Sequence, residues 1–257
     1  MFSKVLIANR GEIAVRIIAA CREFGVSTVA VHSEADRDCR HVLLADESVC
    51  IGAADSSDSY LNVTSVMSAA QITGADAIHP GYGFLAENAH FAEIVGWCGR
   101  VFIGPSSDAS RLMGDRSEAR RTVSASAVPI LPGSDGPLSS RDEAAEIARE
   151  VGFPVILKAS SGGGGRGMRL ARDPDEVRRA YDTAWNEAER AFGDATLYLE
   201  KYLERPRHIA FQVLADSTGR VIHLGERECS LPRRHHKILE EAPSPSLEQE
   251  LRALRGA

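Results

Sequence analysis

"KASSGGGGRGMR", Lys158 to Arg169, is the stretch on which the reading of this chain turns. Four consecutive glycines, Gly162 to Gly165, separate an apolar run ending in lysine from a charged segment. Glycine loses more backbone freedom on folding than any other residue. Such a run is therefore either a flexible connector or a place where backbone must approach something closely. The N–H groups of a glycine loop can lie against phosphate oxygens because no Cβ intervenes. Lys158 puts a cation just before the loop, and Arg166 adds one within it. The pattern is not GxxxxGK[ST], which needs Lys–Ser/Thr after the glycines and a helix directly behind them. It is not GxGxxG either, because the strand–tight turn–helix context is missing. On composition alone, a phosphate loop and a surface connector stand level.

The segments around this loop predict an α+β unit. "FPVILKAS" reads as a strand before the glycines. A short strand and a long amphipathic helix follow in "MRLARDPDEVRRAYDTAWNEAERAF". "TLYLEKYL", "RHIAFQVLAD" and "VIHLGERECS" read as three more strands, the last two joined through "DSTGR" as a hairpin. Upstream, "GDRSEARRTVSASA" predicts a polar helix. "VPILPGSDGPLSS" reads as a loop or hinge, and Ser140 or Asp142 as the cap of the helix "DEAAEIAREVG". "SLEQELRALRGA" predicts a helix at the end of the chain. Strands pairing with near neighbours imply an antiparallel arrangement.

The first part of the chain differs. "KVLIAN", "STVAVHS", "ESVCIG", "DAIH" and "RVFIGP" read as strands. Helices are predicted over "EIAVRIIAACREFG", "YLNVTSVMSAAQITG" and residues 87–95. Strands separated by helices imply βαβ units and a parallel sheet covered on both faces. This unit is placed at residues 1–114, and the second at 115–257.

Bulk properties exclude some functions. The chain has 257 residues and a net charge of −6, which argues against a nucleic-acid binder. Five scattered cysteines without CxxC spacing indicate neither a disulfide framework nor a zinc site. They fit a reducing cytosol, so a cytoplasmic location is expected. The N-terminal apolar run is broken by Arg10, Glu12 and Arg16, and no stretch approaches the roughly 20 apolar residues of a membrane span.

Three other stretches carry chemistry. In "ERECSLPRRHHKILEEAPSP", Arg233 to Lys237 are five consecutive groups able to carry positive charge at a strand end. Such a run can hold anionic substrates or form an ordinary solvated surface. Its flanking acids, Glu226, Glu228, Glu240 and Glu241, offer neutralisation under either reading. "AIHPGYGFLAEN" and "IANRGEIA" lie at strand C-terminal ends, where ligands of open α/β sheets bind. His79 alone reads as structural. The "NRGE" charges are equally consistent with a helix start turned outward.

Taken together, "IANRGEIAVRI", "AVHSEADRD", "AIHPGYGFLAEN", "RLMGD", "PGSDGPL", "KASSGGGGRGMR", "LEKYLERPRHI", "HLGERECSLPRRHHK" and "EEAPSP" resemble the biotin carboxylase family, in order and over essentially the whole chain. That family opens acetyl-CoA, propionyl-CoA and pyruvate carboxylases. The resemblance implies a Rossmann-like pre-ATP-grasp domain over 1–114, then an incomplete ATP-grasp domain over 115–257 with a mobile lid at about 131–203. It implies an ATP-dependent ligase. ATP phosphorylates bicarbonate to carboxyphosphate, and biotin on a carrier protein or domain is carboxylated. ATP with Mg2+ or Mn2+, a carboxyltransferase partner and a homodimer of the full-length protein are implied as well; nucleic acid and membrane are not.

Residue by residue, the resemblance implies Lys158 and Arg116 on the nucleotide phosphates, with Gly164 and Gly165 over them. Glu200, Lys201, Tyr202 and Leu203 would line the adenine pocket. His208 would lie near the ribose, His235 near the nucleotide and reaction centre, and Lys237 on bicarbonate or the transferred phosphate. Metal ligands are expected beyond Ala257, so this chain is expected to be an inactive fragment. Four positions depart from the family pattern: Arg116 for lysine, Ala210 for glutamate, Pro232 for glutamine and His236 for glutamine. A milder change puts Ser161 in place of glycine. These departures motivate the alternative of a degenerate nucleotide-binding module.

Overall fold

The computed structural model describes residues 2–114, 116–126, 128–160, 167–216, 218–233, 236–248, 250 and 252. Two compact units divide the chain, Met1–Thr122 and Val123–Ala257.

In the first unit, strands β1 (Lys4–Ile7), β2 (Ser27–Ser33), β3 (Glu47–Gly52), β4 (Ala77–His79) and β5 (Val101–Phe102) form a parallel sheet of order β3-β2-β1-β4-β5. Successive β1 side chains point to opposite faces, and both faces are buried. Leu6 packs with Val29, Val31, Ile78 and Phe91, while Val5 and Ile7 pack with Ile17, Ile18 and Ala77. The covering helices include α1 (Gly11–Glu23), α3 (Val63–Thr73) and α4 (Ala89–Trp97). Their boundaries follow local chemistry. Asn62 and Asn88 accept hydrogen bonds from Ser65 N–H and Phe91 N–H, and Gly74 ends α3 in the left-handed conformation. The short α2 (Arg40–Leu44) and α5 (Ser107–Gly114) are helices the sequence reading did not resolve. The polar helix α6 (Arg116–Ala125) follows.

The second unit is antiparallel among its described strands. β6 (Val155–Ala159) lies between β7 (Met168–Ala171) and β8 (Leu197–Lys201), covered by α7 (Arg141–Val151) and α8 (Pro174–Phe192). Ser140 caps α7, accepting from Glu143 N–H. Asp173 caps α8, with Pro174 as its first residue. Val155, Leu157, Leu197 and Leu199 pack onto Ala144, Ala148, Ala180 and Ala184, whose small side chains bring the helices close to the sheet. A second sheet has order β11-β10-β9, from β9 (Ile209–Ala215), β10 (Val221–Arg233) and β11 (His236–Glu241). Asp216 Oδ1 accepts from the N–H groups of Thr218 and Arg220 and closes the β9–β10 turn.

Strand β11 is the main difference from the sequence reading. The basic run Arg233–Lys237 begins at a strand end, as expected, but a further strand takes up its last residues. Arg233 closes β10 and His236 opens β11, with Arg233 opposite His236 and Pro232 opposite Lys237. Pro232 sits at a register shift, and β10 pairs with β9 only as far as Glu228, so its missing N–H breaks no central ladder. Of the terminal helix expected over "SLEQELRALRGA", most lies outside the described residues.

Candidate functional site

The β6–β7–β8 sheet has two unlike faces, and register assigns them. Leu157 lies opposite Arg169 and Leu199 on the helix-covered side, where Arg169 reaches Glu187 of α8 at 2.6 Å. The other side carries the alternate residues. Ile156 stands between Leu170 and Glu200, and Lys158 between Met168 and Tyr198. Ile156, Met168 and Leu170 are half-buried there, which makes an apolar floor beside a single lysine.

Lys158 is the penultimate residue of β6. Its ammonium meets the Glu200 carboxylate at 2.5 Å and lies 5.9 Å from the Tyr198 ring centre. Lys158 and Glu200 are diagonal cross-strand neighbours on one face, a spacing long side chains bridge. Both are mostly covered, at 23% and 16% side-chain exposure. Beyond Lys158, Ala159 N–H donates to Gly167 O at 3.0 Å, so both ends of the glycine stretch are fixed to each other. Gly167 has φ +66°, and a Cβ there would stand 2.9 Å from the Ala159 Cβ, so this end needs glycine. Gly164 and Gly165 themselves lie outside the described residues.

The segment after Glu200 is anchored by backbone. Lys201 N–H donates to Pro132 O at 2.8 Å and Tyr202 N–H to Pro154 O at 3.0 Å. The Lys201 ammonium donates to Gly152 O at 2.8 Å and Phe153 O at 2.6 Å, so it fastens the α7–β6 connection. Leu203 is exposed. At the start of β9, His208 N–H donates to Ser230 Oγ at 2.8 Å, and its carbonyl accepts from Cys229 N–H at 2.7 Å, leaving the imidazole exposed.

On the second sheet, three of the four acids flanking the basic run are engaged elsewhere. Glu226 pairs with Arg252 at 2.7 Å, Glu240 with Arg227 at 3.0 Å and Glu228 with Arg207 at 3.9 Å. Hydrogen bonds from Ser230 and Ser244 hold the Glu228 carboxyl below its ordinary range, and Arg252 does the same for Glu226. Lys237 is exposed and has no ion pair among the described residues. Ala210 lies in β9 opposite Arg227. His235 lies outside the described residues. For Arg116 the structure establishes only its place at the start of α6.

The first unit brings together groups the sequence reading left unassigned. Asn9 is buried and donates both amide hydrogens, to Pro80 O and Tyr82 O, each at 2.7 Å, which fixes the loop after β4. Gly81 in that loop has φ +65°, and a Cβ there would lie 2.9 Å from Asn9 Nδ2. His79 Nδ1 accepts from Gly81 N–H at 3.0 Å, and burial pushes its pKa down, in keeping with a structural role. Arg10 does not turn outward as a bare helix start. It pairs with buried Asp36 at 2.5 Å. Among the described residues no three His, Cys, Asp or Glu side chains gather as a metal site, and no helix is long and apolar enough to cross a membrane. The five cysteines are free thiols.

The sequence reading missed the floor residues Ile156, Met168 and Leu170. Their signal was a strand apolar at every position around one lysine, which betrays two covered faces.

Comparison with known proteins places this geometry. Residues 1–110 match the biotin carboxylase N-terminal domain, and residues 115–256 match the ATP binding domain of the carbamoyl-phosphate synthase L chain. Biotin carboxylase 1 of Bacillus subtilis is 56% identical over 256 residues, covering 100% of this chain and 57% of that protein. The biotin carboxylase of Nostoc sp. is 56% identical over 255 residues and is likewise 57% covered, so the chain spans little more than half the length of such relatives. Among solved structures, a Campylobacter jejuni biotin carboxylase in complex with β,γ-ATP superposes with a TM-score of 0.94 at 49% identity, covering 100% of this chain and 57% of that one. In sequence and in fold, this chain belongs to the biotin carboxylase family.

Proposed function

We propose that this chain carries the nucleotide-binding part of a biotin carboxylase. The reaction is ATP-dependent carboxylation of carrier-bound biotin by bicarbonate. A bicarbonate oxygen attacks the γ-phosphorus, the bond to ADP breaks, and carboxyphosphate forms. Carboxyphosphate yields carbon dioxide and phosphate, and the deprotonated ureido nitrogen of biotin takes up the carbon dioxide. This is the first half-reaction of an acyl-CoA or keto-acid carboxylase, with a biotin carrier and a carboxyltransferase as partners and a dimer as the assembled state.

The observation that carries this reading is Lys158 at the end of β6, on an apolar floor and next to the glycine stretch. A purine fits the surface of Ile156, Met168 and Leu170, and a phosphate chain leaving it runs toward Lys158. Lys158 holds the phosphates, and Gly164 and Gly165 offer N–H groups over them. Glu200 to Leu203 border the base, with the Tyr202 and Lys201 N–H groups already spent on Pro154 and Pro132. His208 borders the ribose. Arg116 adds charge at the phosphates, and His235 and Lys237 meet bicarbonate or the transferred phosphate. Phosphoryl transfer depends on such positioning and charge neutralisation. A solved 2-oxoglutarate carboxylase biotin carboxylase domain dimer from Hydrogenobacter thermophilus, 52% identical with a TM-score of 0.92, covers 100% of this chain and 56% of that one. It is a complex with MgADP, ADP and bicarbonate, which supports the same ligands here. Among the described residues no three His, Cys, Asp or Glu side chains gather to hold magnesium.

A second reading, nucleotide binding without carboxylation, is favoured by Ala210 and Pro232, which put a methyl group and an imino acid beside Arg227 and Lys237. One assay separates them. Calorimetry with ADP tests the nucleotide site, and biotin- and bicarbonate-dependent release of ADP tests turnover. ADP binding with turnover supports the carboxylase. Binding without turnover, restored by Ala210→Glu with Pro232→Gln, supports the second reading. Absence of ADP binding overturns both.

A further inference from the structure

Lys158 faces a chemical conflict that the nucleotide reading leaves open. Its ammonium is mostly covered, at 23% side-chain exposure, and a partly covered charge is more stable with a partner than without one. The ligand-free protein supplies a counter-charge of its own. The adjacent strand does so, because Glu200 lies diagonally across from Lys158 on the same face and reaches it at 2.5 Å. A nucleotide phosphate approaching the same ammonium meets that carboxylate. Two anions at one ammonium repel each other, and the repulsion works against keeping both.

We propose that Glu200 is a positioning residue that occupies the Lys158 ammonium as an internal anion, which the phosphate chain of a nucleoside di- or triphosphate must displace in order to bind. The inference rests on the nucleotide reading above. The exchange keeps Lys158 extended along the floor between turnovers. It returns Lys158 to Glu200 as product leaves, and it lowers occupancy by stray small anions. Its size is set by the strength of the pair. It is specific to ligands that touch Lys158, so a nucleoside without phosphate does not feel it.

The test uses the whole chain, with ADP and adenosine as probes in calorimetry at low ionic strength. Glu200→Gln keeps the backbone and size of the side chain and removes its charge. The ratio of ADP to adenosine affinity is expected to rise roughly fivefold in this variant, the scale of one accessible ion pair, because any contact of Glu200 with the base is shared by both ligands and cancels in the ratio. In Lys158→Met, the same Glu200→Gln change is expected to bring no gain in that ratio. Glu200→Asp, a milder change should glutamine disturb folding, is expected to bring a smaller gain, because its shorter carboxylate withdraws from the ammonium. An ADP-to-adenosine affinity ratio that is unchanged or lower in both Glu200 variants overturns the inference while leaving the nucleotide site standing. An equal gain for adenosine overturns it too. If the unmodified chain binds neither ADP nor adenosine, the nucleotide reading fails and this inference fails with it.

Discussion

Two ion pairs in this molecule have the same length and differ in what else their carboxylates hold. Arg10–Asp36 in the first unit and Lys158–Glu200 in the second both measure 2.5 Å. Asp36 is buried, and its carboxylate also accepts from Tyr60 OH at 2.7 Å and Ser33 Oγ at 3.1 Å. Tyr60 accepts in turn from Ser33 N–H at 3.1 Å and stacks on Phe84 at 5.0 Å, while the Arg10 guanidinium lies over the Tyr60 ring. The Arg10 pair thus ties the β1–α1 loop, the end of β2, the segment before α3 and the loop after β4 into one polar knot. The Lys158 pair, with both side chains mostly covered, joins two neighbouring strands beside a glycine stretch. Distance alone does not separate a lock from an exchangeable contact. The number of chain segments joined by the pair, and whether a ligand can reach it, do.

The largest difference is expected on removing the cation. Arg10→Ala leaves the buried Asp36 carboxylate without its counter-charge and is expected to destabilise the first unit by about 3 kcal/mol. Urea unfolding followed by amide exchange in β1 and β2 reads the effect. A loss below about 1 kcal/mol would make Arg10–Asp36 an ordinary surface pair and erase the contrast.

Next comes pH. Burial alone would raise the Asp36 carboxyl, but hydrogen bonds from Arg10, Tyr60 and Ser33 and the Arg10 charge bring it down to about 2. A carboxyl depressed in the folded state stabilises it above the unfolded pKa and loses that contribution as pH falls through the folded value. For Asp36 the loss runs from about pH 4 to about pH 2 and amounts to about 2 kcal/mol. Thermal melting at pH 5, 3 and 2.5 should show this fall in the first unit, and Asp36→Asn should flatten it. The same network acts on Tyr60, whose hydroxyl is pushed up to about 12 by burial and by Asp36. Tyr60→Phe removes one donor to Asp36 and the acceptor for Ser33 N–H. It is expected to lower stability by about 1.5 kcal/mol in the same melts at pH 7.

The two pairs also differ in how they could be read from sequence. The parallel first sheet, the antiparallel second unit, the Ser140 cap and the glycine stretch after β6 are all local patterns, and they were legible. Arg10 and Asp36 are 26 residues apart and meet only because β1 and β2 align in parallel. Lys158 and Glu200 are 42 residues apart and meet only because β8 crosses beside β6. The apolar floor required knowing which residues of β6 and β7 share a face. Strand β11 escaped because "HKILEE" has just two aliphatic residues between charged groups, and its partner is the end of β10. Local periodicity reports elements; register, which a single sequence does not print, reports sites.

The smallest stability effect is expected at the second pair, and it completes the comparison. Lys158→Met keeps the unbranched stem on the floor beside Ile156 and Met168 and removes the ammonium. Glu200 then loses the contact with the Lys158 ammonium and keeps the solvent access its side chain already has. A partly exposed pair of this kind contributes about 1 kcal/mol or less. Melting of Lys158→Met should therefore stay within that margin of the unmodified chain, while ADP binding falls by at least tenfold. A fall in stability near that of Arg10→Ala would make Lys158–Glu200 a second structural lock. It would also mean that nucleotide phosphate cannot displace Glu200 without unfolding the sheet, so that Lys158 would have to bind phosphate with Glu200 still attached.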